Sequence, residues 1–337
     1  MKVCVARGEG HPNTLGGVHG SPPESSARSS QEGSLVLGDL PLRRGMVVAA
    51  GGLGFLIRSI PTLFKLRVGA LITLTALGGA LVAGGGRITL PQLVWLALSV
   101  GLTCAGSGSL NHYFDRDLDA LMERTRRRPL AAGAIPHPWV VPLTGALLVA
   151  AGLGISALSL NVAVAFYGLA GAAIYVGVYT LWLKRRTPWN IVIGGLAGSS
   201  AVLAGGAVVP GGITPAVIAL AMVVFLWTPP HFWSLAIAYE DDYRRARVPM
   251  LPVIVGKERA AKSVLWATLL LVLTTLAPTV VDPLGVAYMG AALGGGLVLV
   301  LANARLARDP SRPHALVSFH LSNAYLLMLF LSAILGR

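Results

Sequence analysis

Charge is scarce in this chain. Asp, Glu, Lys and Arg make up 12% of its 337 residues, and only 14 residues are acidic. A soluble domain of this length needs a polar surface that such a composition cannot supply. Cysteine is nearly absent. Cys4 and Cys104 stand far apart in unlike surroundings, which leaves no basis for a disulfide framework or a thiolate metal site. Aromatic residues, at 7%, are outnumbered by the 41 glycines. What the chain does contain is apolar: 54% of residues are hydrophobic and the mean hydropathy is +0.70.

Runs long enough to cross a hydrocarbon core, about 20 residues, recur near 63–84, 91–111, 139–159, 162–182, 190–209, 213–238, 262–280, 284–304 and 315–335. The expected fold is an all-α polytopic membrane protein with nine transmembrane helices, forming one domain over residues 45–337. The run 190–209 is the least apolar because it is rich in Gly and Ala. Small residues let helix backbones approach closely, so it reads as a packed interior helix. Residues 1–44 are Gly-, Ser- and Pro-rich and aperiodic, with acids mixed among the bases. They read as a disordered tail and not as a secretory or transit signal, and Met46 stands where a complete protein can begin. Residues 46–57 are too short to span and suggest an interfacial or re-entrant segment.

Loop charge sets the expected orientation. The loops after the second, fourth, sixth and eighth runs carry 17 of the chain's 27 Lys and Arg, whereas those after the odd-numbered runs carry only Arg87. This is a strong positive-inside pattern. It places the basic loops on the cytoplasmic side of a bacterial inner membrane, or on the matrix side in a mitochondrion. The net charge of +13 follows from that asymmetry and from attraction to anionic membrane lipid; nucleic-acid binding is not needed to explain it.

The acids that do occur are concentrated. Residues 111–119, NHYFDRDLD, put Asn111, Asp115 and Asp119 at i, i+4 and i+8, nearly one face of a helix. Asp117 lies off that face and is expected to pair with a loop arginine. Carboxylates in a membrane segment cost several kcal/mol to dehydrate and are functional by default. Hard oxygen ligands at this spacing suit Mg²⁺ held together with substrate phosphates; the bland alternative is a solvated helix end neutralised by arginines. A second acidic stretch, Tyr239 to Tyr243 with Glu240, Asp241 and Asp242 between, follows an apolar run interrupted by Pro229 and Pro230. It falls on the same basic side and can converge with the first.

A diphosphate carries about three negative charges, so carboxylates hold it only through intervening cations, with Arg and Lys as direct donors. Such a site stabilises diphosphate as a leaving group while the apolar tail of the substrate lies in a water-free cavity. Spacing and charge alone therefore favour Mg²⁺-dependent prenyl transfer. An ion-coupled transporter and a non-catalytic cofactor-insertion or scaffold protein are the other classes. The first predicts acids near the bilayer midplane and repeat symmetry between halves; the second needs no paired acidic clusters.

Three runs, NHYFDRDLDALMERTRRRPLAAGAI, YTLWLKRRTPWNIVIGGLAGS and WTPPHFWSLAIAYEDDYRRARVPMLPVIVG, closely resemble the haem O synthases (protohaem IX farnesyltransferases) of the intramembrane prenyltransferase superfamily. The likeness covers roughly residues 58–335. It implies that farnesyl diphosphate alkylates a vinyl group of haem B to give haem O and diphosphate with Mg²⁺ as cofactor, and it makes haem A synthase a candidate protein partner. Prenyl transfer to a quinone precursor or a chlorophyll-type acceptor is the alternative within the enzyme class.

By resemblance, Asn111, Asp115 and Asp119 hold Mg²⁺ and diphosphate as the first motif, with Asp241 and Asp242 as the second. Arg124, Arg126, Arg128 and Lys184 match basic positions that clamp the diphosphate, and Lys65 and Arg67 open the first helix where relatives also place basic residues. His231 is a candidate haem contact, set against the reading of an interior, hydrogen-bonded histidine beside a helix break. Tyr243 is a candidate substrate contact. The chain departs from the family pattern at Arg247, where relatives have Gly, and in the stretch 199–211 at the end of the fifth run.

Overall fold

The computed structural model describes residues 53–281 and 284–336. The tail expected over 1–44, and residues 46–52 of the interfacial segment, lie outside the described residues. Among the described residues the protein is all helix. A short helix α1 (Leu53–Leu63) precedes eight helices long and apolar enough to cross a membrane: α2 (Leu66–Arg87), α3 (Leu90–Phe114), α5 (Val140–Leu160), α6 (Val162–Leu183), α8 (Pro215–Ala238), α11 (Lys257–Val280), α12 (Gly285–Arg308) and α13 (Arg312–Leu335). The fifth of the nine expected spans is a shorter apolar helix, α7 (Asn190–Gly206). Three short helices, α4 (Arg116–Leu121), α9 (Glu240–Arg245) and α10 (Leu251–Val255), follow α3 and α8. The chain is a multi-pass integral membrane protein.

Local chemistry starts these helices where the sequence signals it. Thr89 caps α3, with Gln92 completing a reciprocal capping box and Pro91 in the first turn; Thr214 caps α8 ahead of Pro215. Each side chain satisfies an amide that would otherwise lack a partner at the helix start. The expected break at Pro229 and Pro230 does not occur, and α8 runs unbroken from Pro215 to Ala238. Pro229 and Pro230 lack the N–H groups that would bond the Phe225 and Leu226 carbonyls, and the helix continues through them with side-chain bonds on either side and to a neighbouring helix. Thr228 and Ser234 donate to the carbonyls of Val224 and Pro230. Across the interface, Trp227 Nε1 donates to the Ser322 carbonyl of α13 (2.7 Å).

Lipid tails are as apolar as leucine, so helices associate in a membrane through close packing and hydrogen bonds, not through exclusion of water. Helix α7 follows this rule, as its small residues suggest. A Cβ placed on Gly205 would fall 1.9 Å from the Ala76 carbonyl oxygen, and one on Gly79 would fall 2.3 Å from that of Val202, so α2 and α7 touch backbone to backbone. The other half of the core gathers Val217, Leu220, Val223 and Val224 of α8 against Leu326, Leu329 and Phe330 of α13.

Candidate functional site

The helical register of α3 carries into α4. Asp115 N–H donates to the Asn111 carbonyl (2.9 Å) and Asp119 N–H to the Asp115 carbonyl (2.8 Å). The i, i+4, i+8 face expected for Asn111, Asp115 and Asp119 is therefore real, and all three side chains are buried, 2%, 2% and 5% exposed. Asn111 Nδ2 donates to Asp115 Oδ2 (2.7 Å) and to Thr180 Oγ1 of α6 (2.9 Å). Asp115 Oδ1 is buried with no hydrogen-bond partner among the described residues.

Three cations surround this face. Lys184 Nζ reaches Asp115 Oδ2 at 2.5 Å, and Arg128 Nη1 donates to both oxygens of Asp119 (3.0 and 2.8 Å). Lys65 Nζ bonds Asn111 Oδ1 and lies 2.8 Å from the Tyr175 hydroxyl. Lys65 sits at the turn between α1 and α2 with φ 49° and ψ 41°, a left-handed conformation that a non-glycine residue holds only where its surroundings impose it. Room for it comes from Gly108 of α3, where a Cβ would press within 3.3 Å of both Lys65 Cβ and the Phe64 carbonyl. Burial, with the Arg128 and Lys184 cations beside it, draws the Lys65 ammonium down to about 7. Burial also pulls on Lys184, but the Asp115 carboxylate outweighs it and the net shift is upward. Three cations facing two carboxylates leave the site short of negative charge.

The opposite wall was not legible in the sequence. Over Ala173–Leu183 the helix α6 widens into π-helical turns, a geometry that often accompanies functional sites. The i→i+5 pattern puts Thr180 Oγ1 on the Tyr175 carbonyl (2.8 Å) and the Lys184 N–H on that of Tyr179 (2.9 Å). Tyr175 and Tyr179 stack with their rings 5.9 Å apart, and Tyr175, Thr180 and Lys184 all reach the acidic face. The five-residue steps from Tyr175 to Thr180 and from Tyr179 to Lys184 are the only sequence trace of this wall.

The two acidic stretches meet, but not as two sets of open ligands. Asp242 is buried, and its carboxylate accepts the backbone N–H groups of Glu123 (3.1 Å) and Arg124 (3.0 Å) and pairs with Arg245. It fastens the loop that carries Arg124, Arg126 and Arg128. Beneath this junction, Leu118 and Met122 pack with Tyr243, Val248 and Met250. Asp241 is exposed, and Glu240 is buried between Arg244 and Lys257. No group of three or more Asp, Glu, His or Cys side chains is preassembled for a metal among the described residues; each buried carboxylate of the two motifs has an Arg or Lys partner instead.

The basic residues divide by role. Lys65, Lys184 and Arg128 face the acids. The Arg124 guanidinium lies 5.1 Å from the Tyr239 ring, Arg126 turns outward to Glu123, and Arg67 is exposed and makes none of these contacts. Asp117 pairs with Arg185 through two 2.8 Å bonds. His231 lies between Trp227 and Phe319, stacked on both (4.2 and 4.4 Å between centroids), with Nδ1 2.7 Å from Ser322 Oγ. That is the environment of a histidine packed between helices. Arg247 takes φ 53°, the region a glycine occupies without strain, so the turn after Tyr243 closes despite the substitution.

A membrane-embedded helical bundle with an amide, carboxylates and excess cations gathered at one rim is built to hold a phosphorylated amphiphile. Residues 72–330 match the UbiA prenyltransferase family. The chain is 42% identical to protoheme IX farnesyltransferase 2 of Paramagnetospirillum magneticum over 81% of its own length and 94% of the relative's. It is 41% identical to the protoheme IX farnesyltransferase of Alkalilimnicola ehrlichii over 87% and 96%. Among solved structures, a study of digeranylgeranylglyceryl phosphate synthase superposes with a TM-score of 0.67 at 19% identity, covering 83% of this chain and 98% of that one. A UbiA homologue from Archaeoglobus fulgidus bound to GPP and Mg²⁺ gives 0.59 at 20% identity, covering 82% and 99%; at such identities the likeness speaks for the fold. The chain belongs to the UbiA prenyltransferase family and is an integral-membrane prenyltransferase.

Proposed function

We propose that this enzyme transfers the farnesyl group of farnesyl diphosphate to a vinyl group of haem B. In that reaction the allylic C1–O bond breaks and diphosphate leaves. A bond forms between C1 and the terminal vinyl carbon, and water adds at the carbon next to the ring with loss of a proton, giving haem O. The observation that carries the reading is the convergence of Asn111, Asp115 and Asp119 with Lys65, Lys184 and Arg128, taken together with relatives of that name at over 40% identity.

The residues fit a divalent metal. The donors are amide and carboxylate oxygens, which suit Mg²⁺, and the partnerless Asp115 Oδ1 is an open, buried acceptor. Asn111, Asp115 and Asp119 would hold the ion, with Asp241 an exposed acid beside Asp242. Bound there, Mg²⁺ neutralises diphosphate and makes it a better leaving group.

The protein's own part is to bind, orient and exclude water. Lys184 and Arg128 donate to phosphate oxygens once these compete for them. Lys65 adds a third donor. The apolar helices enclose the farnesyl chain, and the Tyr175–Tyr179 stack offers a π surface to developing positive charge at C1. Asp242 acts by positioning the arginine loop.

The positive-inside pattern supports a rim that faces the cytoplasm in a bacterial inner membrane, or the matrix in a mitochondrial one. Purified protein given farnesyl diphosphate, haem B and Mg²⁺ should form haem O, read by chromatography and mass. Prenylation of 4-hydroxybenzoate without any haem O would replace the acceptor assignment.

A further inference from the structure

Beside the acidic face lies a second basic feature that the diphosphate does not account for. Arg58 and Thr62 of α1 and Arg124, Arg127, Arg128 and Pro129 of the loop line an open groove of about 420 Å³. Among the described residues no acidic side chain lines it. Of the groove's arginines, Arg128 holds a carboxylate and Arg124 lies over the Tyr239 ring. Arg58 and Arg127 are exposed and in no ion pair among the described residues. Like charges crowded around one groove repel, and an anion arriving there relieves the repulsion. Arg128 links the two features, because its guanidinium holds Asp119 while its side chain also lines the groove.

We infer that this groove binds the paired propionate carboxylates of the porphyrin acceptor, with Arg58 and Arg127 as its recognition residues. The inference rests on the haem reading above and deepens it. A substrate that carries two carboxylates on one edge and its reactive vinyl groups on the opposite edge is an amphiphile. Anchoring the carboxylates in a basic groove at the rim leaves the vinyl edge free to turn inward, toward the apolar bundle and the prenyl donor. Arginine suits the task because its planar fork pairs with carboxylates through two parallel bonds. The shared chemistry is a pair of anionic oxygen groups, which a diphosphate or lipid headgroups also offer, so the test must separate these sources.

The test uses the full chain in detergent with Arg58→Gln, Arg127→Gln and the double variant. Arg58→Lys/Arg127→Lys serves as the conservative partner and Arg259→Gln as a control for surface charge. Two readouts are taken: absorbance titration of haem B without prenyl donor, and separate KM values for haem B and farnesyl diphosphate. Each Gln substitution should weaken haem binding and raise its KM about tenfold, with partial rescue by lysine. The KM for farnesyl diphosphate should stay unchanged. Haem B with both propionates esterified should bind wild type and double variant equally weakly. A raised KM for farnesyl diphosphate would assign the groove to the diphosphate and overturn the inference. Unchanged haem binding, with weaker association to anionic-lipid vesicles, would assign it to headgroups and overturn it as well. A wild-type chain that neither binds nor turns over haem B removes the acceptor assignment itself, a result distinct from failure of the groove alone.

Discussion

Replacing Asp242 separates a metal ligand from a positioning residue. Its carboxylate accepts two backbone N–H bonds, at 3.1 and 3.0 Å, from the loop that carries Arg124 to Arg128. A hydrogen bond to a charged acceptor is worth about 1.5–3 kcal/mol. Glu123 and Arg124 are exposed, so water recovers part of this in the variant. The ion pair with Arg245, whose side chain is 55% exposed, adds little after solvent screening. Asp242→Asn, which presents an NH₂ group to donors that need an acceptor, should therefore cost about 2–4 kcal/mol, roughly 5–10 °C in Tm. With the loop released, the KM for farnesyl diphosphate should rise several-fold. Asp241→Asn should leave Tm within about 1 °C, because an exposed charge away from packing contributes little, and should instead raise the Mg²⁺ requirement. Thermal unfolding in detergent and Mg²⁺ titration of initial rates, run on both variants, give the answer. An Asp242→Asn protein that melts like wild type and differs only in its Mg²⁺ response would refute the positioning role.

Asp115→Asn preserves shape but removes the charge that holds Lys184, and turnover should fall about 100-fold or more, with folding checked by size-exclusion chromatography. Arg247 holds φ 53°, where glycine is unstrained but loses more freedom on folding. Arg247→Gly should therefore be neutral to about 1 kcal/mol stabilising, read as an equal or higher Tm at unchanged kcat. Lys65 titrates near 7 in the empty site because burial and two neighbouring cations disfavour its charge. A bound diphosphate favours the ammonium and raises that value. Above pH 7, and up to the raised value, binding then takes up a proton, and affinity falls as pH rises through that window. Calorimetry at pH 8 in two buffers of different ionisation enthalpy measures the uptake, and an uptake of zero would refute the shift.

How much of this was legible in the sequence depends on the range of the interaction concerned. Asn111, Asp115 and Asp119 could be placed on one face from spacing alone, because four-residue steps need nothing but helix geometry, and the helix does continue through Asp115. The small residues of 190–206 announced a packed interior helix, because a missing Cβ has meaning only where another backbone comes close, as Ala76 does at Gly205. Features set by tertiary partners were not legible. The two prolines of α8 read as a break because local rules count the lost donors and not the tertiary contacts that hold the helix straight through them, such as the Trp227 bond to the Ser322 carbonyl of α13.

Asp242 read as a metal ligand because its charge was visible, whereas the two loop amides that claim it, from residues more than a hundred positions away, were not. Tyr175 and Thr180 were passed over because a π-helical turn shifts which residues share a face, and nothing in hydropathy marks the shift. Lys65 was placed by resemblance, but its reach to Asn111 depends on a left-handed turn and on the space left by Gly108. The same logic explains why Arg58 was overlooked. Arg58 stands eight residues ahead of the α2 span, and only when the fold sets α1 beside the loop of residues 124–129 do four guanidinium groups share one groove in which no described acid lies. Charge that is redundant for orientation and unbalanced in space calls for an anion, and under the proposed haem assignment the acceptor's propionates supply one.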